Sequence, residues 1–401
     1  LKQWNPGVVS PDWIQQLVLA ADQFIVDRPL SEDPKGKTVI AGYPWFGDWG
    51  RDTMIALPGL TIATGRPELA GKIISTFSRY LDQGMLPNVF PEVGEQPEYN
   101  TVDAILWYFE AVRAYYSATQ DRDLIQQIFP ALVEVIEWHQ RGTRYGIHLE
   151  ADGLLYAGEP GVQLTWMDAK VGDWVITPRI GKPIEINALW YNALRTMVSL
   201  AGELNLPAQD FNRLAEKAIA GFQRYWLEEK GYCADVLDGP DGNDEALRPN
   251  QIFAVMLPDL SCPWAALLEK AQQKSVVDTC SRALVTSYGL RSLAPDHPDY
   301  VGTYSGDQLQ RDQAYHQGTV WGWLIGPFIQ AHLRAYGDPT QAQSFLMPMV
   351  NHLQTHGVGS LSEIFEGDAP FYPRGCVAQA WSVAEVLRTW RMIQEYDVPN
   401  A

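Results

Sequence analysis

Apolar residues recur along most of this 401-residue chain at the three-and-four spacing of one helix face, and the stripes come in two kinds that alternate. One kind is single-faced. It covers Trp13, Ile14, Leu17, Val18, Ala21, Phe24 and Ile25; Leu69, Ile73, Ile74, Phe77, Tyr80 and Leu81; Leu124, Ile125, Ile128, Phe129, Leu132 and Ile136; and Phe211, Leu214, Ala218, Ile219, Phe222 and Trp226. Such helices keep one wet face. The other kind, near 51–64, 100–118, 185–203, 249–257, 315–335 and 376–392, is apolar nearly all round and rich in Ala and Gly, which predicts helices buried on every side.

The connections sort in the same way. After a buried segment they are short: Gly65-Arg66 with Pro67 opening the next helix, Gln120 before Asp121, Asn205 to Pro207, Pro258 to Cys262, and Gly337 to Pro339. Before a buried segment they are long, at roughly 26–50, 82–99, 144–184, 230–248, 275–314 and 356–375. About twelve helices, with every long loop at one end, predict an all-α (α/α)6 barrel: an inner ring of helices inside an outer one, and a site at the N-terminal mouth of the inner ring. Short hairpins are expected on that rim, for example Gly146–Leu149 with Leu154–Tyr156 around Ala151-Asp152-Gly153. No repeat beyond the helix pairs and no linker is visible, so residues 1–401 read as one catalytic domain. Leu rather than Met at position 1 suggests the C-terminal part of a longer chain.

Charge and composition narrow the partners. A net charge of −18 and a pI near 4.8 oppose binding to nucleic acid or to an anionic membrane surface. Fifteen Trp and eighteen Tyr supply many flat faces of the sort that stack on sugars. Cys233, Cys262, Cys280 and Cys376 are scattered, with no C-x-x-C and no His at zinc spacing, and read as reduced thiols. With no secretory signal and no bilayer-length apolar run, the reading is a soluble, cytoplasmic protein without metal or cofactor. The acidic turn from Asp238 to Glu245 departs from calcium-loop spacing and reads as a solvated turn.

Candidate chemistry lies on the long loops or at the start of buried helices. Residues 43–53 crowd Tyr43, Trp45 and Trp49 with Gly47 and Gly50, just before Arg51 and Asp52. Glycines permit close backbone approach, aromatics give a floor, and a guanidinium beside a carboxylate can grip hydroxyls; a salt-bridged helix start with core tryptophans fits equally well. Glu98, Asn100 and Asp103 form a second cluster, also readable as an ordinary helix start. Asp168, between Trp166, Met167 and Ala169, has apolar company that would raise its pKa and suit a general acid. The alternative is a loop carboxylate paired with Lys170, and Asp173 is a weaker rival. Tyr315-His-Gln-Gly318 is a fourth cluster. Glu363, in Leu361-Ser-Glu-Ile-Phe-Glu366, is the candidate base, with Glu366 as its rival. Two carboxylates flanking a sugar are the minimum equipment of a glycosidase.

Four motifs in this order, Phe46-Gly-Asp-Trp-Gly-Arg-Asp-Thr53, Thr165-Trp-Met-Asp168, His316-Gln-Gly-Thr-Val-Trp321, and Ser362-Glu363 followed by Ala378-Gln-Ala-Trp-Ser382, resemble the glucosidase domain of glycogen debranching enzymes, from about Tyr43 to about Trp390. The resemblance implies an (α/α)6 barrel that removes, with inversion, the α-1,6-linked glucose stub of glycogen or branched maltodextrins. It implies Asp168 as general acid and Glu363 as general base. It places the Trp-Gly-Arg-Asp segment in the subsite before the scissile bond, as in related glucoamylases. Substrate contacts are accordingly expected from Trp45, Asp48, Trp49, Arg51, Asp52, Asn100, Asp103, Trp107, Trp166, Lys170, His316, Gln317 and Trp321. The N-terminal β-rich domain and the transferase barrel of some relatives lie outside these residues, which puts a 4-α-glucanotransferase activity in doubt. Competing readings are a glucoamylase-like α-1,4 exo-hydrolase, a phosphorylase using Arg374 and His316 against phosphate, and a non-catalytic α-glucan-binding module.

Overall fold

The two kinds of stripe become two kinds of helix. A computed structural model describes residues 10–29, 34–89, 97–259, 262–357 and 359–396. In chain order its helices are α1 (Asp12–Gln23), α2 (Gly50–Leu57, prolonged by a π-helical turn Pro58–Ile62), α3 (Pro67–Ser78), α4 (Asp103–Thr119), α5 (Arg122–Arg141), α6 (Ile184–Leu204), α7 (Gln209–Phe222), α8 (Ile252–Met256), α9 (Lys270–Ala283), α10 (Gln308–Ala314), α11 (Ile325–Tyr336), α12 (Pro339–Ser344), α13 (Met347–Thr355) and α14 (Ala380–Tyr396). Helices α1, α3, α5 and α7 bury one stripe each, whereas every residue of α2 and of α8 is buried.

The all-round apolar helices pack in succession. Helix α2 lies against α4, α4 against α6, α6 against α8, α8 against α11, α11 against α14, and α14 returns to α2. The one-faced helices cover this closed circuit from outside, with α3 on α4, α5 and α7 on α6, and α9 on α8 and α11. A single apolar cluster runs through all of them. None of the described helices is long and apolar enough to cross a membrane.

Three boundaries differ from the expectation. The stretch 315–335 is not one helix: Val320–Trp321 is a strand, and α11 starts only at Ile325. Gly318, with φ of +147°, breaks the helical path. The long loop expected at 275–314 begins inside α9, whose buried residues Gln273, Val276, Val277 and Cys280 make too narrow a stripe to read as a helix. The last buried helix starts at Ala380 rather than near 376, because Ala378–Gln379 pair as a strand with Gly42–Tyr43.

The loop end carries small sheets. The hairpin expected near 146–156 forms between His148–Leu149 and Leu155–Tyr156. The acidic turn is a hairpin as well, and Asp238 is ion-paired with Lys182 and Arg224 rather than simply solvated. A five-stranded antiparallel sheet, invisible in the stripe pattern, joins Val285–Thr286, Gly289–Arg291, Val320–Trp321, Ile364–Phe365 and Pro373–Arg374 in that order. Its strands are two or three residues long and come from three different loops, and it sets Trp321 opposite Ile364, next to Glu363.

Candidate active site

Helix α2 begins with Gly50, and a Cβ there would sit 2.1 Å from the carbonyl oxygen of Pro87. The missing side chain lets the 87–89 segment run against the helix start, with the Gly50 N–H donating to the Asn88 carbonyl at 2.8 Å. Gly47, by contrast, faces open space and answers to no close approach. At the next position Arg51 is buried and reaches two acids: its Nε donates to Asp103 Oδ2 at 2.8 Å and its Nη1 to Asp168 Oδ2 at 2.7 Å. Asp103, the first residue of α4, therefore serves the guanidinium and not only the helix start. Asn100 lies before α4, and the residue preceding that helix is Val102, so Asn100 is not its cap.

A cavity of about 260 Å³ opens above these residues. Its wall brings together Trp49, Arg51, Asp52, Asn100, Trp166, Asp168, Trp321 and Glu363 from the expected set. It adds Phe46, Asn88, Gln163, Tyr315, Gln379 and Trp381, to which the motifs assign no substrate contact. Asn88 and Gln163 carry no local signal, being single polar residues in long loops. Gln379 and Trp381 lie within the last of the four motifs, which is the signal that could have found them. Five residues of this wall carry a buried polar atom without a protein partner: Arg51 Nη2, Asn88 Oδ1, Asn100 Oδ1, Gln379 Oε1 and Trp381 Nε1. Unpaired buried donors and acceptors are costly unless something polar meets them, and both kinds occur here.

The other expected contacts lie elsewhere. Trp45 is 66 % exposed outside the cavity wall. Asp48 pairs with Arg28 at 2.7 Å, and Lys170 donates to the Gly161 carbonyl at 2.8 Å. Gln317 Oε1 accepts from Arg248 Nη2 at 2.7 Å, and Trp107 lines a different cavity. His316 is fully buried, stacked on Trp321 at 4.9 Å and edge-on to Trp166 at 5.5 Å, so it fixes two wall tryptophans from behind. Burial, with Arg248, Arg51 and Arg179 adding to it, holds its imidazole well below the usual range and hence neutral.

The carboxylates differ sharply. Glu363 is buried; its Oε1 accepts from the Tyr315 hydroxyl and its Oε2 from the Cys376 N–H at 2.8 Å. Gly375, with φ of +65°, has no side chain where one would collide with that Oε2. Burial outweighs both hydrogen bonds and pushes Glu363 up to about 7, with the charge of Asp168 also raising it. Asp168, expected among apolar neighbours or on Lys170, has instead a side chain 33 % exposed and bound to Arg51. Asp52 is buried, accepts from Gln379 Nε2 at 3.4 Å, and is raised to about 8 by burial, which the neighbouring Arg51 only partly offsets. At neutral pH it is therefore mostly the uncharged acid, able to donate as well as accept. Glu366 is turned to Arg374 at 2.7 Å and lies outside the cavity wall, while Asp173 sits exposed in a hairpin turn.

Behind the wall, Arg179 holds Glu185, Asp235 and Thr165, Asp235 accepts from Asn250, and Asn250 accepts from the Trp166 indole at 2.8 Å. This buried chain fixes Trp166, two residues from Asp168. Among the described residues no group of His, Cys, Asp and Glu is arranged to hold a metal ion.

Several known proteins resemble this chain in fold or in sequence. Crystal structures of a GH63 mannosylglycerate hydrolase from Thermus thermophilus, in complex with Tris and with glucose, superpose with TM-scores of 0.68 and 0.67 at 15% identity, covering 94% of this chain and 99% of theirs. That likeness bears on the fold alone. The glycogen debranching enzyme of Saccharomyces cerevisiae is 26% identical over 421 aligned positions, which take in 80% of this chain and 27% of the yeast protein. The chain thus spans about a quarter of the length of this relative. A family model described as amylo-alpha-1,6-glucosidase matches residues 19–388, nearly the whole chain, and on that match the protein belongs to the amylo-alpha-1,6-glucosidase family of glycoside hydrolases.

Proposed function

We propose that this chain is an (α/α)6 barrel that hydrolyses, with inversion, the α-1,6 bond to a single glucosyl stub on glycogen or a branched maltodextrin. The closed circuit from α2 to α14 supports the barrel. The observation that carries the chemistry is the unequal pair of carboxylates on one cavity. Glu363 lies deep, with a donor on each oxygen, an arrangement that keeps it an acceptor for the proton of an attacking water. Asp168 lies where solvent still reaches it, on the side from which a leaving chain departs, and gives its proton to the glycosidic oxygen. The Arg51 guanidinium donates to Asp168 Oδ2 at 2.7 Å and so holds the carboxyl at the cavity wall. Arg51, Asp52, Asn88, Gln379 and Trp381 hold the glucosyl hydroxyls.

Phosphorolysis fits less well, because neither residue that would receive phosphate is a free cation: His316 is neutral and Arg374 is neutralised by Glu366. The deciding experiment incubates the protein with a maltodextrin bearing one α-1,6-linked glucosyl stub, in phosphate-free buffer. Free glucose is expected, released first as the β-anomer. Glucose 1-phosphate formed only with added phosphate would establish the phosphorylase instead, faster release from linear maltooligosaccharides would establish the α-1,4 exo-hydrolase, and binding without release would leave a glucan-binding module.

The pH profile tests the base separately. Glu363 must be ionised to act, so the acid limb of the kcat/KM profile is expected to rise through about 7. Tyr315→Phe deletes a hydrogen bond that favours the carboxylate, so the acid limb should move to higher pH, with kcat lowered. An unshifted limb in an active Tyr315→Phe variant would remove Glu363 from the base role.

A further inference from the structure

A second cavity, larger than the catalytic one, sits among the described residues. It occupies about 620 Å³, against about 260 Å³ for the site above, and lies toward the opposite ends of the same helices, between the last turns of α2, α4 and α14 and the segments at Met256, Asp259 and Pro327. That volume is within the range of small-molecule sites.

Its chemistry repeats that of the catalytic cavity. Glu110 accepts from Arg113 on α4, Arg113 also meets Asp259, Asp259 accepts from Gln330, Gln330 accepts from Arg388, and Arg388 donates to Glu385 on α14. The charges form a continuous belt in which each guanidinium has its carboxylate. Such a belt has no strong preference for an ion of either sign, but its carboxylates retain lone pairs beyond those already engaged. Trp107 and Trp323 also line the cavity, set edge to face at 6.4 Å, and contribute the edge of its apolar floor. The Trp323 indole is only 1% exposed and its N–H has no acceptor in the protein. An occupant with an apolar face, several hydroxyls and no net charge matches this charge-balanced, partly apolar lining.

We infer that this lower cavity is a second binding site for a neutral saccharide of one or two glucose-sized rings, separate from the catalytic cavity. The two sites share a partition. Trp323 stacks on Trp381 at 5.2 Å, and Trp381 is part of the catalytic wall, so two stacked indoles separate the two cavities. The inference stands on the chemistry of the lower cavity and does not require the hydrolytic reading to hold.

The test uses maltose and the full chain carrying Glu363→Gln, in which turnover is expected to be slowed, so that binding is read with little loss of sugar. Crystals of this variant soaked in maltose should show sugar beneath Trp323 as well as in the catalytic cavity. In solution, calorimetry should resolve a second, weak maltose isotherm. Ser117→Trp, placed at the exposed mouth of the lower cavity and outside the catalytic machinery, should weaken that isotherm at least ~tenfold, keep the other, and leave the parent enzyme's activity intact. Sugar in the catalytic cavity alone, or two isotherms both indifferent to Ser117→Trp, would overturn the second site. Because Glu363→Gln is assayed for binding only, these outcomes are independent of whether the unaltered protein releases glucose.

Discussion

Asp168→Asn is expected to nearly abolish release of glucose from a branched dextrin while sparing hydrolysis of α-glucosyl fluoride, whereas Glu363→Gln should damage both. The difference lies in the leaving group. A sugar alkoxide needs a proton as it departs and fluoride scarcely does, so loss of the acid matters only for the first substrate. The attacking water needs its base for either. Each loss should be on the order of 10²- to 10⁴-fold for the affected substrate. The structure sharpens this contrast, because the Glu363 carboxylate is fixed from both sides by Tyr315 and Cys376 and an amide in its place would lose one of those acceptor bonds. Steady-state rates on the two substrates check the assignment. Equal damage to both by Asp168→Asn would exchange or dissolve the roles, and normal rates in Glu363→Gln alongside inactive Glu366→Gln would transfer the base to Glu366.

Arg51→Ala should be the most disruptive single change at the site, for a reason that separates folding from catalysis. The side chains of Arg51 and Asp103 are 3% and 1% exposed, so removing the guanidinium leaves a buried carboxylate without its cation. Breaking a buried pair on one side typically costs about 3–5 kcal/mol. The same substitution frees Asp168, and a misplacement of about 1 Å in a reacting group is worth roughly 10²-fold in rate. Asp103→Asn added to Arg51→Ala should restore much of the thermal stability, since the stranded charge is gone, yet leave turnover impaired because Asp168 still lacks its anchor. Thermal unfolding and kcat/KM on the double variant read the two effects apart. Recovery of both together would make Arg51 a purely structural residue.

The alternation of one-faced and all-round apolar helices is legible because the two environments write different periodicities into the chain, and the mouth is legible because loop length follows position in that alternation. The clusters at Arg51-Asp52, Asp168 and Glu363 stand out for the same reason, being polar residues where the architecture leaves room for a site. What stays hidden depends on contacts between distant segments. Strands of two or three residues are too short for alternation to show, so the sheet that seats Trp321 beside Glu363 leaves no pattern. Asn88 enters the cavity only because Gly50 admits a neighbouring loop, a relation no local window contains. The environment of Asp168 misleads because its sequence neighbours are apolar while its neighbour in space is Arg51, 117 positions earlier. His316, Gln317, Asp48 and Trp107 have the residue types of a sugar site, and the structure employs them to hold other groups or to line the lower cavity.

The circuit of helices closes where α14 meets α2 and where Ala378–Gln379 pair with Gly42–Tyr43. Gln379 and Asp52, which touch across that seam, are 327 positions apart. Bringing such segments together costs the closure entropy of the long loop between them before any contact repays it, so the seam is slow to form early in folding. During synthesis Arg51 and Asp168 emerge from the ribosome long before Glu363, and until the last helix docks the cavity lacks the wall that carries its base. A nascent or partly unfolded chain therefore has no competent site. The cavity is completed at ring closure, as a property of the finished circuit rather than of any segment of it.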